Sequence, residues 1–167
     1  MRQSDNHPVL PPGRSAIPLE IRLYVIQLLN QTLACTVDLR SHVKQAGWNV
    51  KGPDFSQLHA LFATMATALE AYTDLVAERI VVLGGVALGT ARTATTRSTL
   101  PAYPDAILDG LAHVRALAER IAPYATALRD NIILTADVED AGSAAVYTDI
   151  SRGVDKQLWI LDAHLHR

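Results

Sequence analysis

Asp74 and Glu78 are separated by four positions, so on a helix their carboxylates share one face, a turn apart. His59 falls at a nearby angle fifteen residues earlier. Two carboxylates and an imidazole are a donor set that first-row divalent metals accept, with water completing the shell. At the α-helical rise, however, His59 and Asp74 lie ~22 Å apart along the axis. One helix cannot bring both to one ion. Two antiparallel copies related by a two-fold axis near the helix midpoint could, with His59 of one beside Asp74 and Glu78 of the other. Any metal site built from these three residues must therefore be shared between subunits. A plainer reading uses the same residues: Asp-x-x-x-Glu is common on solvated helix faces, Glu78 is followed by Arg79, and a lone histidine more often packs or hydrogen-bonds than ligates.

The elements that must position these groups are four periodic segments. The first, about 18–45, carries Ile21, Val25, Leu28, Leu29, Leu33 and Val37 on one stripe. The second, 55–83, is the most regular, with Phe55, Leu58, Phe62, Met65, Leu69, Tyr72, Val76, Ile80 and Leu83. The third, about 105–132, repeats Ile107, Leu111, Val114, Ala118, Ile121, Ala125 and Leu128, and Pro123 within it predicts a kink or a short break. The fourth, about 142–165, carries Ile150, Val154, Leu158, Leu161 and Leu165. Steps of three and four place each set on one helical face.

The short turn at 49–54 makes the first two helices antiparallel neighbours, and Gly84 and Gly85 end the second. The connection 86–104 is too long for a hairpin, can run the length of a bundle, and is expected to hold a short helix near 91–98. Short loop, long crossover, short loop is the connectivity of an all-α, ferritin-like four-helix bundle. The domain division is a tail at 1–16, which holds three of the eight prolines, and a helical domain at 17–167.

Composition agrees. Aromatic residues make up only 5% of a chain that is 49% apolar, which favours close-packed helices over sheets. The single cysteine, Cys35, allows no internal disulfide, fits a reducing compartment, and sits among apolar helix residues as packing. The N-terminal residues have no signal-peptide core and no stretch reaches 18 apolar residues, so the expectation is a cytoplasmic protein without a membrane span.

The stretches VKQAGWNVKGPDF (43–55), LHALF (58–62) and DLVAERIVVLGGVALGT (74–90) closely resemble the Dps family, the DNA-binding proteins from starved cells. TLPAYP (99–104) and DKQLWILDAHL (155–165) are similar to the family as well. The resemblance implies a mini-ferritin: a homo-dodecameric cage that oxidises ferrous iron between two-fold-related subunits and stores ferric mineral inside, protecting against oxidative stress. It also implies a ligand set, which this chain carries in part. Gly47 stands where the family has a histidine before Trp-Asn, and Ala63 stands where a carboxylate follows His59 by four residues. His59, Asp74 and Glu78 remain, enough for one ion (iron, or another divalent metal such as zinc) but hardly for a dinuclear ferroxidase centre.

Other residues are placed by the same resemblance. Trp48 packs at the subunit interface, and Asp137, Glu139 and Asp140 line a pore that admits cations; an acidic loop before a helix start explains the last three equally well. His42 sits five residues before Gly47, about 140° round the helix, and pairs with Asp38 rather than replacing the missing ligand. His164, His166 and Arg167 could bind a metal adventitiously, but a frayed end is the plainer reading. DNA contact is expected to be weak: the tail offers Arg2 and Arg14 against Asp5 and no lysine, and twelve chains at −2 give a cage near −24. The alternative is a catalytically silent cage, either structural, nucleoid-associated and DNA-compacting, or a partner in mixed cages. Natural loss and deliberate removal of the two ligands leave the same sequence.

Overall fold

The computed structural model describes residues 15–166, and its five helices are α1 (Leu19–Asn49), α2 (Phe55–Val82), α3 (Ala91–Arg97), α4 (Gly110–Asp137) and α5 (Ala141–Leu165). Four are long and form the bundle, while α3 lies in the crossover between α2 and α4. The expected all-α, ferritin-like connectivity is what is observed, and among the described residues the β-structure is one isolated bridge, Lys51 to Asp109. Residues 1–14, most of the expected tail, lie outside the described part. No described helix is long and apolar enough to cross a membrane.

The stripes become one core. Val25, Leu29 and Leu33 of α1, Leu58, Phe62, Met65, Leu69, Val76 and Ile80 of α2, Val114, Ile121 and Leu128 of α4, and Ile150, Val154 and Leu161 of α5 are all buried together. Helix α1 packs chiefly on α2 and α4 on α5, as two hairpins whose apolar faces close on each other.

Three boundaries differ from the sequence expectation, one being the end of α4, which runs to Asp137 rather than about 132 and buries Thr135 in its last turns. Helix α1 runs to Asn49 because Leu39, Val43 and Ala46 continue its stripe into the core. Helix α4 starts at Gly110 rather than near 105, because the Asp109 carboxylate caps it by accepting from the Ala112 N–H (2.9 Å) while the Leu108 carbonyl accepts from Lys51 N–H (2.9 Å). Pro123 breaks nothing. It sits on the exposed face of a continuous α4, where the carbonyl it cannot pair is left to solvent.

The long crossover is pinned by side chains. Asn30 donates to the Val86 carbonyl (3.1 Å) and accepts from the Leu88 N–H (2.9 Å), acting as a strand neighbour for extended chain. Gln31 donates to the Arg97 carbonyl (2.7 Å) at the end of α3. Cys35 is buried beside Thr99, its Sγ 3.5 Å from the hydroxyl, and serves as packing.

Helices α2 and α4 end in the same left-handed hydrogen-bonded cap. After α2, Gly84 takes φ 88°, with Gly84 N–H donating to Val81 and Gly85 N–H to Ile80 (both 2.9 Å). After α4 the matching position is Glu139 at φ 60°, with Glu139 N–H donating to Ala136 and Asp140 N–H to Thr135 (both 2.9 Å). A side chain there is strained where glycine is not. Glu139→Gly is expected to stabilise the fold by about 0.5–1 kcal/mol, measured as a higher denaturation midpoint at fixed protein concentration.

Inside α5, Gly153 is required by a neighbour: a Cβ there would lie 1.8 Å from the Tyr72 hydroxyl oxygen of α2. Gly153→Ala should destabilise by about 1–3 kcal/mol through overpacking. Removing the hydroxyl with Tyr72→Phe should recover much of that loss in a double-mutant cycle, and additive effects would refute the clash.

Candidate metal site and its surroundings

The turn after α1 folds α2 back along it, so the start of α2 lies against the end of α1. The His59 ring stacks on Phe55 (5.4 Å between centroids), and its Nδ1 lies 2.8 Å from the Gly47 carbonyl oxygen. Gly47 falls in the last turn of α1, where carbonyls lack helical partners. An oxygen there only accepts, so Nδ1 carries the proton and donates. The Nε2 lone pair of an exposed ring is thereby left free to accept from an outside donor or to bind a cation. A ligating histidine is usually oriented in this way, one nitrogen held by a carbonyl and the other presented to metal.

Asp74 and Glu78 are exposed near the other end of α2, on the same continuous helix. Among the described residues no three histidine, cysteine, aspartate or glutamate side chains of a single chain come together as a metal site. His59 does not meet Asp74 within the chain, as the ~22 Å separation along α2 requires. Gly47 and Ala63 both have room. A Cβ on Gly47 would find Phe62 Cβ at 3.7 Å, ordinary contact, and Ala63 is exposed. Trp48 stands 72% exposed beside them, with the Lys44 ammonium 5.6 Å from its ring centroid.

Arg79 is not the solvated neighbour of Glu78 that the plainer reading makes it. Its guanidinium donates to Asp140 Oδ1 (2.6 Å) and to Ser143 Oγ (2.9 Å). Asp140 is 1% exposed and also accepts from the Ser143 hydroxyl (2.6 Å) and N–H (3.1 Å), capping α5. The three acidic residues therefore divide: Asp137 and Glu139 face solvent, while Asp140 ties α2 to α5. At the end of α5, His164 Nδ1 lies 2.8 Å from the Ile160 carbonyl oxygen.

His42 lies 3.3 Å from Asp38 in the pair expected for it, and burial holds its pKa below the ordinary value against the pull of that carboxylate. Beyond it lies a buried group that sequence reading does not single out. His42 stacks on Tyr103 (5.3 Å), and the Tyr103 ring lies end to end with that of His113 (6.1 Å between centroids), its hydroxyl 2.6 Å from His113 Nδ1. Arg120 lies over the same phenol ring at 5.5 Å and donates to the Ala102 and Ala116 carbonyls. The available signal was TLPAYP itself, a tyrosine between prolines in a crossover facing a histidine one helix-start away.

These features define a class. A four-helix bundle with a long crossover after its second helix is ferritin-like, and the family model for the ferritin-like domain matches residues 26–167. The chain is 39% identical over 152 residues to the DNA protection during starvation protein of Agrobacterium fabrum, covering 91% of this chain and 94% of that one. Its fold superimposes on DpsC from Streptomyces coelicolor with a TM-score of 0.91 at 29% identity, covering 99% and 97% of the two chains. Dps from Microbacterium arborescens, solved in a high iron form, gives 0.84 at 30% identity, covering 90% and 97%. The chain belongs to the Dps family of mini-ferritins, whose members assemble into oligomeric cages.

Proposed function

We propose that this protein is the subunit of a cytoplasmic homo-dodecameric cage that takes up, slowly oxidises and stores iron, and so limits peroxide damage. Its entry point for iron oxidation is a half-dismantled site between two-fold-related subunits. His59 supplies one nitrogen, Asp74 and Glu78 of a neighbour supply oxygens, and water fills the positions that Gly47 and Ala63 leave empty. The observation that carries this reading is His59: its Nδ1 is committed to the Gly47 carbonyl, and its exposed Nε2 has no partner among the described residues. Zinc suits the same donors and would compete for them.

Assembly is supported by the surface. Trp48 and Trp159 are 72% and 66% exposed, and Phe55, Val81, Val82 and Ile133 are also exposed, more apolar area than an isolated subunit needs. Trp48 and Phe55 flank His59, as an interface passing through the site requires. Asp137 and Glu139 remain the residues for a cation entry pore. DNA contact would fall to the N-terminal arginines and would be weak at physiological salt.

The test is anaerobic ferrous loading of the assembled protein, then peroxide, following ferric absorbance and iron retained per cage. Oxidation faster than in buffer, lost in His59→Ala and in Asp74→Asn/Glu78→Gln, supports the site. Mixing the two variants before assembly should restore about a quarter of the sites, because a mixed two-fold pair regains one complete ligand set of two. Oxidation at the buffer rate with little iron retained would favour the second reading, a cage kept for structure or DNA compaction, which the missing donors at Gly47 and Ala63 recommend.

A further inference from the structure

A site holding one ferrous ion meets a problem of electron count. Peroxide needs two electrons to reach water or hydroxide, and a single Fe2+ provides one. The other product of the one-electron reaction is hydroxyl radical. With one ion per site, a second electron from a nearby protein group avoids the radical, and the buried Tyr103–His113 pair has the geometry of such a donor.

Tyr103 is 9% exposed and His113 1%. The 2.6 Å contact between the phenol oxygen and Nδ1 is short enough for the phenolic proton to cross as an electron leaves the ring. Burial pushes the Tyr103 pKa up to about 12, so at neutral pH the phenol still holds the proton that must move. The Arg120 cation over the ring makes an uncompensated positive charge on the tyrosine costly. The Ile107 carbonyl and the Asp109 carboxylate beside His113 favour an imidazolium, offsetting part of the burial that opposes it.

The pair is also connected to the metal side of the subunit. His59 and Phe62 lie three residues apart on α2, and the Phe62 ring is 6.4 Å from His113. That ring-to-ring step falls in the range of packed aromatic neighbours.

We propose that Tyr103 and His113 act as a proton-coupled one-electron donor to the peroxide reaction at the His59 site, a role that rests on the iron site proposed above. Fe2+ gives one electron and becomes Fe3+. Tyr103 gives the other and becomes a neutral tyrosyl radical, its proton passing to His113 Nδ1. The O–O bond of hydrogen peroxide accepts both electrons and breaks to two hydroxide ions, so total charge and atoms are conserved. A further ferrous ion returns the electron to Tyr103, and the proton comes back from His113.

The experiment uses the intact cage loaded anaerobically with one ferrous ion per subunit and mixed with equimolar peroxide. Freeze-quenched electron paramagnetic resonance and hydroxyl spin trapping are read for the parent protein, Tyr103→Phe and Tyr124→Phe, the last removing another buried phenol hydroxyl away from the pair. The parent and Tyr124→Phe should show a tyrosyl signal and trap well under one hydroxyl radical per iron. Tyr103→Phe, which keeps the ring and its stacking, should lose the signal and trap close to one. An unchanged radical in Tyr103→Phe, or equal trapping in all three, overturns the proposal.

If iron is oxidised no faster than in buffer, it is the iron site that has failed. The pair is then read alone with a flash-generated one-electron oxidant in ordinary and heavy water. A tyrosyl radical that forms more slowly in heavy water and is absent from Tyr103→Phe supports the donor. A radical insensitive to both refutes it.

Discussion

Gly47→His combined with Ala63→Asp should raise the rate of peroxide-driven ferrous oxidation at least about tenfold, since even outer-shell partners of metal ligands are worth 10–100-fold in affinity or activity. The two substitutions add a nitrogen and a carboxylate on the His59 side of the proposed site, turning three donors into five and permitting a second ion. The fold should accept them. Gly47 lies inside α1 without a positive φ, its nearest neighbour for a Cβ is at 3.7 Å, and replacing a helical glycine removes backbone entropy from the unfolded chain. His59 must keep its bond to the carbonyl of residue 47, which a histidine there does not remove. Stopped-flow absorbance with one and then two ferrous ions per subunit distinguishes faster chemistry from tighter binding. A double variant that assembles normally but oxidises iron at the parent rate would move the chemistry away from this interface.

Asp140→Ala should cost about 3–5 kcal/mol, the usual loss when one partner of a buried ion pair is removed. Asp140 is 1% exposed, accepts from the Arg79 guanidinium at 2.6 Å, and caps α5 through Ser143. Alanine removes the cap and leaves Arg79, itself mostly buried, beside an empty space. Asp140→Asn keeps one acceptor oxygen for the Ser143 N–H and the Arg79 guanidinium but loses the charge and the acceptor of the Ser143 hydroxyl, so it should fall between alanine and the parent. Thermal denaturation at one fixed protein concentration reads the series. Equal loss in Asn and Ala variants would assign the whole effect to the charge and the Ser143 hydroxyl bond. A negligible loss in both would mean that the pair and cap contribute nothing net.

The apolar stripes, the tight first turn and the long crossover were legible because each is a local property: period, glycine placement and connection length. The placement of His59, Asp74 and Glu78 on α2 was legible in the same way, since spacing on one helix decides which residues share a face and which are too distant to meet. That the distance is bridged by a second subunit remains the proposal. What could not be read depends on contacts far apart in sequence. The start of α4 is set by Asp109 together with Lys51 across the fold. Arg79 looks solvated until α5 brings Asp140 to it, and Asn30 is an ordinary helix residue until the crossover passes its amide. Tyr103 and His113 are ten positions apart in a stretch that leaves regular structure and re-enters it, where no periodicity foretells a contact.

In the proposed shared site, the separation of His59 from Asp74 and Glu78 along α2 would also set an order of events. A newly made subunit would carry only half of the ligand set, so ferrous iron would be held for peroxide only once a second subunit supplied the other half, as a wall forms between the reaction and the rest of the cell. Metal and partner would then strengthen each other's binding by the same factor, as linkage requires. Iron itself would become a signal that favours the closed container.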